Sequence, residues 1–169
     1  MPAAAHTSPS GADIFLHVQT KRAGKVKGEA VSHGHTDDIV IAGWHWGLSS
    51  GSAVGDTRAT ARRSYTALTV HKHIDQATTA LMSALASNDE VKEARLTMRR
   101  AGGAQEDYFL VTLKGARITS LQHDTGADGE ARETLSIAFT EVEVEYRPQR
   151  ASGGRGGSTV FNDSLPSTA

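Results

Sequence analysis

The stretch Leu135-Ser136-Ile137-Ala138-Phe139-Thr140-Glu141-Val142-Glu143-Val144-Glu145-Tyr146 changes phase in its middle. Its apolar residues fall on odd positions at Leu135, Ile137 and Phe139, then on even positions at Val142, Val144 and Tyr146. Successive side chains of a strand point to opposite faces, so one regular pleat would place one of these sets in water. An inserted residue keeps both inside, which predicts a β-bulge near Thr140 and Glu141. The same signature occurs earlier. Ile39 and Ile41 share one phase, Ala42, Trp44 and Trp46 share the other, and a second bulge is expected near Ala42 and Gly43. Two long strands that each bend in this way pass from one sheet to another or close a barrel. The fold class is mainly β.

The flanking sequence extends this reading. Ile14, Leu16 and Val18 alternate with Phe15, His17 and Gln19, and a basic, Gly-containing turn over 21–28 follows. Further strands are expected over 65–71, 93–99, 107–113 and 116–122. The clearest of them sets Ala94, Leu96 and Met98 on a dry face against Glu93, Arg95, Thr97 and Arg99 on a charged one. A single short helix is predicted over 79–87 from the spacing of Ala77, Leu81, Met82 and Leu85. Thr78 is its expected N-cap before Thr79, and Asn88, tolerant of positive φ, ends it after Ser87. Residues 47–63 read as an extended loop rich in Gly, Ser, Thr, Ala and Arg, a length that is usually functional or disordered.

Composition narrows the function classes. The 169 residues carry 18 Lys plus Arg against 19 Asp plus Glu, a formal charge of −1. That balance gives no electrostatic footprint for nucleic acid and no polybasic membrane surface. No apolar run reaches bilayer length, and the first residues lack the basic and apolar regions of a secretory signal. With no cysteine, neither disulfides nor thiolate chemistry are possible. Leu, Val, Ile and Phe together number 32, and they avoid the ends. The expected organisation is therefore a disordered tail over 1–12, one domain over 13–150 and a flexible tail over 151–169. So lean a core suggests that self-association adds stability.

Three constellations could carry chemistry. His33 and His35, and His71 and His73, are H-x-H pairs that would share a strand face and, with Asp37 or Asp38, suggest zinc or nickel. No helical metal motif supports them, and the residues assign no metal, cofactor or catalytic group. The serines of 47–51 open no helix and form no nucleophile elbow. Glu141, Glu143 and Glu145 alternate on a strand, as a solvated or interface face does, with the basic positions of 93–100 a possible partner. Trp44-His45-Trp46 directs two indoles one way and His45 the other, which makes Trp44 and Trp46 core candidates.

Gly28-Glu29, His35-Thr36-Asp37-Asp38-Ile39, Trp44-His45-Trp46-Gly47, Thr69-Val70-His71-Lys72-His73-Ile74-Asp75, Ala94-Arg95-Leu96-Thr97-Met98-Arg99-Arg100, Tyr108-Phe109-Leu110-Val111-Thr112-Leu113 and Val144-Glu145-Tyr146-Arg147-Pro148-Gln149 stand in this order along the chain. Together they resemble the Hcp family, the hemolysin-coregulated proteins, over residues 13–150. The resemblance implies a two-sheet β-barrel with one helix. Six copies would form a ring, and rings would stack into the inner tube of the type VI secretion system. It also implies sheath, spike and effector proteins as partners, escort of effectors within the ring, and a path from the bacterial cytoplasm to the outside without a signal peptide. It brings no cofactor and no active site. Thr79 replaces a proline common in the family, His45 is bulky for its position, and Val160-Phe161-Asn162 only loosely matches a family Gly-Trp-Asn ending. Within this frame the loop over 47–63, with Arg58, Arg62 and Arg63, is expected to contact a neighbouring ring or subunit, and His45 to face the lumen. A phage-tail-tube-like protein and a histidine-based metal enzyme on a β-barrel are the competing readings.

Overall fold

The computed structural model describes residues 13–57, 62–100, 105–149 and 157–165. In chain order its elements are β1 (Asp13–Thr20), β2 (Gly24–Lys25), β3 (Ile39–Val40), β4 (Gly43–His45), β5 (Leu48–Ser50) and β6 (Arg63–Tyr65). There follow β7 (Leu68–His73), α1 (Ala77–Ala86), β8 (Val91–Arg99), β9 (Asp107–Thr125), β10 (Ala131–Ala138), β11 (Glu141–Tyr146) and β12 (Thr159–Ser164). The two strands expected over 107–113 and 116–122 are one continuous strand, β9. It is the spine of the fold, paired with β8 along one edge and with β11 and then β10 along the other.

Both phase switches fall where the sheet changes partners. β10 and β11 run end to end along β9, separated at Phe139 and Thr140, and from that break one branch continues to β7 and β4 and the other to β12. Gly115 of β9 sits opposite the break with φ +53, and a Cβ there would lie 2.2 Å from Thr140 Oγ1. Only glycine fits such a corner. At the other switch the expected bulge is a full crossing. Ile41 N–H donates to Ile14 O of β1 at 3.0 Å, and the next amide, Ala42 N–H, donates to His71 O of β7 at 2.8 Å. Segment 39–45 thereby stitches the two ends of the curled sheet together. Strand order is β2-β1-β8-β9-β10-β7-β4, and among the described residues this ladder is open, where the resemblance implied a closed barrel. β3 and β4 are 2 and 3 residues long and each reaches one end of the sheet only, so closure depends on the crossing and on packing.

The core joins both branches. Leu16, Val18, Leu96, Val111 and Leu113 meet Leu68, Val70, Ile118, Leu135 and Ile137, all buried, with Leu81 and Ala84 of α1 against them. The helix begins two residues earlier than expected, and Thr78 is not its cap. Asp75 Oδ1 accepts from Ala77 N–H at 3.0 Å while Thr78 Oγ1 accepts from Asp75 N–H at 3.1 Å, a reciprocal capping box around Asp75. At the other end Asn88 has φ 54, with Asn88 N–H donating to Leu85 O and Asp89 N–H to Ala84 O, a Schellman closure. Met82, assigned to the apolar face by spacing, is 46% exposed.

Two segments read as irregular contain strands. β5 and β6 pair as a separate two-stranded ladder, so the two ends of the loop expected over 47–63 form a paired arm. β12 lies within the expected flexible tail and pairs with β11 through six residues, from Glu141 opposite Ser164 to Tyr146 opposite Thr159. The expected tail over 1–12 lies outside the described residues.

Candidate functional site

The arm and β12 form the first surface. Arg63 of β6 donates from Nη2 to Asp163 Oδ1 at 2.8 Å and to Ser164 O at 3.1 Å, and its Nε also meets Asp163 Oδ2. Tyr65 O–H donates to the same Oδ2 at 2.8 Å. The Arg63 hydrogen bonds, with Tyr65, hold the Asp163 carboxyl below the usual carboxylate range despite opposing desolvation. Arg63, a candidate for contact with a neighbouring ring or subunit, is paired within its own chain and remains half exposed. Arg62 is exposed, and Arg58 lies outside the described residues. A groove between arm and strand is lined by Leu48, Ser50, Arg63, Phe161 and Asn162. Leu48 is 51% exposed, Phe161 44%, and Val54 further along the arm is fully exposed.

The second surface is the outer face of β4, β7 and β10. His45, opposite Thr69, projects there with His71, and the two rings stack with centroids 5.6 Å apart. His71 Nδ1 lies 3.2 Å from Thr134 Oγ1, and Thr69 Oγ1 lies 3.2 Å from Ser136 Oγ. Arg132, opposite His73, and Ala138 belong to the same face, which is otherwise polar. On the inner side Trp44 and Trp46 are half-buried against the core, Trp44 stacked at 6.0 Å from Phe109 and Trp46 at 5.7 Å from Tyr65.

A third cluster lies beneath segment 26–38, which folds over the outer face of β1 and β8. Gly28 lets this segment close tightly on itself, since a Cβ there would lie 2.3 Å from Asp38 O. Phe15 stacks on His35 at 4.3 Å, and the Arg99 guanidinium lies 5.4 Å from the Phe15 ring centre. His35 bridges Asp38 Oδ2 and Asp107 Oδ1, each at 2.9 Å. The charged face expected of 93–99 is therefore covered at one end, where Thr97 and Arg99 are buried. Arg95 is paired with Glu93 of its own strand and Glu145 with Arg147, so neither supplies the complementary charge considered for an interface. His33 and His35 stand on a turn and do not share a strand face. His71 and His73 do, but among the described residues no three such groups are placed to hold a metal ion.

Asp38 yields a pH prediction. Burial pushes its carboxyl up, but hydrogen bonds from His17, His35 and Lys25 outweigh this and lower it from 3.8 to about 2. A lowered folded value gives stability that is present above about pH 4 and lost as the pH falls through the folded value, here worth about 2 kcal/mol. Urea unfolding of Asp38→Asn beside the parent should show the parent's advantage shrinking by about that amount between about pH 4 and 2. A gap independent of pH would refute the assignment.

The sequence reading missed the buried ion pair of Lys72 and Glu133, both with fully buried side chains. Lys72 Nζ also reaches Asp75 Oδ1 at 2.9 Å and Thr78 Oγ1 at 3.2 Å, and His123 Nε2 approaches Glu133 Oε1 at 3.1 Å. The signal was present. Lys72 is in phase with Leu68 and Val70, and Glu133 with Leu135 and Ile137.

The described residues thus form a mainly β domain with an arm held apart from the main sheet, a largely polar outer face and buried charges paired internally. The comparisons give its family. A family profile described as "Type VI secretion system effector, Hcp" matches residues 15–146. Protein hcp1 of Pseudomonas aeruginosa is 35% identical over 153 residues, covering 88% of this chain and 91% of that protein. The structure titled "Structure of a type six secretion system protein" superposes with a TM-score of 0.81 at 24% identity, over 90% of this chain and 95% of that one. Hcp1 from Salmonella typhimurium superposes at 0.74 and 24%, over 92% and 95%. These two likenesses show the fold. The chain belongs to the Hcp family, and it is a type VI secretion tube subunit. That membership favours the secretion reading over the phage-tail and metal-enzyme alternatives. Among the described residues no helix is long and apolar enough to cross a membrane.

Proposed function

We propose that six copies of this chain form a ring, that rings stack into a tube, and that the arm makes the contact between neighbouring copies. The observation that supports this most directly is the arm itself, a separate ladder carrying Leu48 and Val54 into solvent. Exposed apolar side chains on a projecting hairpin gain free energy only when a partner covers them. Trp44 and Trp46 serve packing and not ligand stacking. The subunit is made in the cytoplasm, exported through the apparatus with its sheath and spike, and needs no catalytic residue for that role.

The polar face of β4, β7 and β10 lines the lumen and holds cargo, with His45 at its centre. Hydroxyls and imidazoles offer both donors and acceptors beside the single guanidinium of Arg132, opposite His73, which suits transient retention of varied proteins. His45→Glu is expected to keep rings intact while changing which cargo co-purifies. Loss of rings in that variant would move His45 to a subunit seam, and unchanged retention would remove it from cargo binding.

A further inference from the structure

The arm is not hydrogen-bonded as a strand to the main sheet, so something else must set its direction. At its base Thr66 N–H donates to Gly47 O at 3.0 Å, Gly47 N–H donates to Thr66 Oγ1 at 2.8 Å, and Trp46, Tyr65 and Phe139 form a ring cluster. These contacts all lie at the root of the arm, where it leaves the main sheet. The next contact outward is the fork from Arg63 to Asp163. β12 is otherwise exposed along its length, with Asp163 its one half-buried residue. Both oxygens of that carboxylate are taken by the arm, Oδ1 by Arg63 and Oδ2 by Arg63 and Tyr65. A carboxylate gripped at two points by a planar guanidinium fixes orientation as well as distance. An ion pair this exposed adds little to folding, so its value lies in geometry.

We propose that Asp163 is a positioning residue that aims the arm. The C-terminal strand β12 then serves as a fixed post on the β11 edge, and the latch from Arg63 and Tyr65 to Asp163 holds the hairpin at the angle at which it meets a neighbouring copy. This rests on the reading of the arm as the contact between copies.

The test uses the full chain, whose lack of cysteine allows clean labelling. Spin labels at Val54→Cys on the arm and Gln19→Cys on β1, on doubly labelled chains diluted into unlabelled chain, report the arm's angle as an intramolecular distance distribution. The parent should give a narrow distribution and Asp163→Ala a broad one at an almost unchanged melting temperature. The exchange Arg63→Asp with Asp163→Arg should restore the narrow form, because it rebuilds the pair with its polarity reversed. In parallel, Asp163→Ala should lose stacking, and the exchange should recover it. An unchanged distance distribution in Asp163→Ala overturns the latch. Deletion of residues 51–60 separates the two ideas. Stacking that survives the deletion refutes the arm as the contact, whereas stacking lost on deletion but retained in Asp163→Ala refutes the latch alone.

Discussion

Glu133→Gln should destabilise the fold by about 3–5 kcal/mol, the range expected when one partner of a fully buried ion pair is neutralised. Lys72 and Glu133 sit on neighbouring strands, β7 and β10, with their side chains directed into the core beside the start of α1. Water cannot replace the lost carboxylate there. Lys72 would keep only Asp75 and Thr78, and the ammonium would remain desolvated. For a chain of this length each kcal/mol moves the midpoint by about 2–4 °C, so a fall in melting temperature of roughly 10 °C is expected. Lys72→Met should do comparable damage for the converse reason. The double variant Lys72→Met with Glu133→Leu should recover much of the loss, because apolar side chains of similar size often replace a buried pair without net cost. Calorimetry of the parent, Lys72→Met, Glu133→Leu and the double variant closes the cycle that checks this. If the double variant is as unstable as the sum of the singles, the two side chains are not energetically coupled and the pair is not what joins the helix to the sheet.

Removing residues 51–60 should abolish ring stacking while leaving the domain folded. The residues of this segment that the structure describes are all exposed and make no contribution to the core. Their removal shortens a hairpin whose base, from Gly47 to Thr66, keeps its own hydrogen bonds. Thermal melting should therefore stay close to the parent, since exposed changes rarely exceed about 0.5 kcal/mol. Sedimentation and negative-stain imaging at matched concentration read the assembly. Normal polymerisation of the shortened chain would remove the arm from the contact.

The fold was legible where burial writes a pattern into the sequence. The switches at Phe139 to Val142 and at Ile41 to Ala42 marked the two places where the chain changes sheet branch, because both sets of apolar residues must stay inside. What the pattern could not carry is the crossing itself, in which adjacent amides of Ile41 and Ala42 bond to opposite ends of the sheet. Backbone hydrogen bonds leave no periodicity. The same reason hid β12 and the β5–β6 ladder. Both are made of exposed side chains, and β12 follows the glycines at 153–157, so their strands are visible only once β11 or a facing segment is in place. Arg99 was placed on a wet face by alternation within β8. Its burial is imposed by segment 26–38, a tertiary cover that the local sequence does not encode. Lys72 and Glu133 are the instructive omission. Each occupies an inward position of a strand with apolar neighbours, and a charged residue at such a position calls for an opposite charge in the same layer. Searching the inward positions for opposite signs would have paired them before the structure was known.

Assembly of this chain as a tube subunit is tested most directly by its mass in solution together with an image of the same sample. Light scattering should give six times 17.9 kDa, and negative stain of that peak should show rings, with stacks at higher concentration. A single copy at every concentration, without rings, would contradict it.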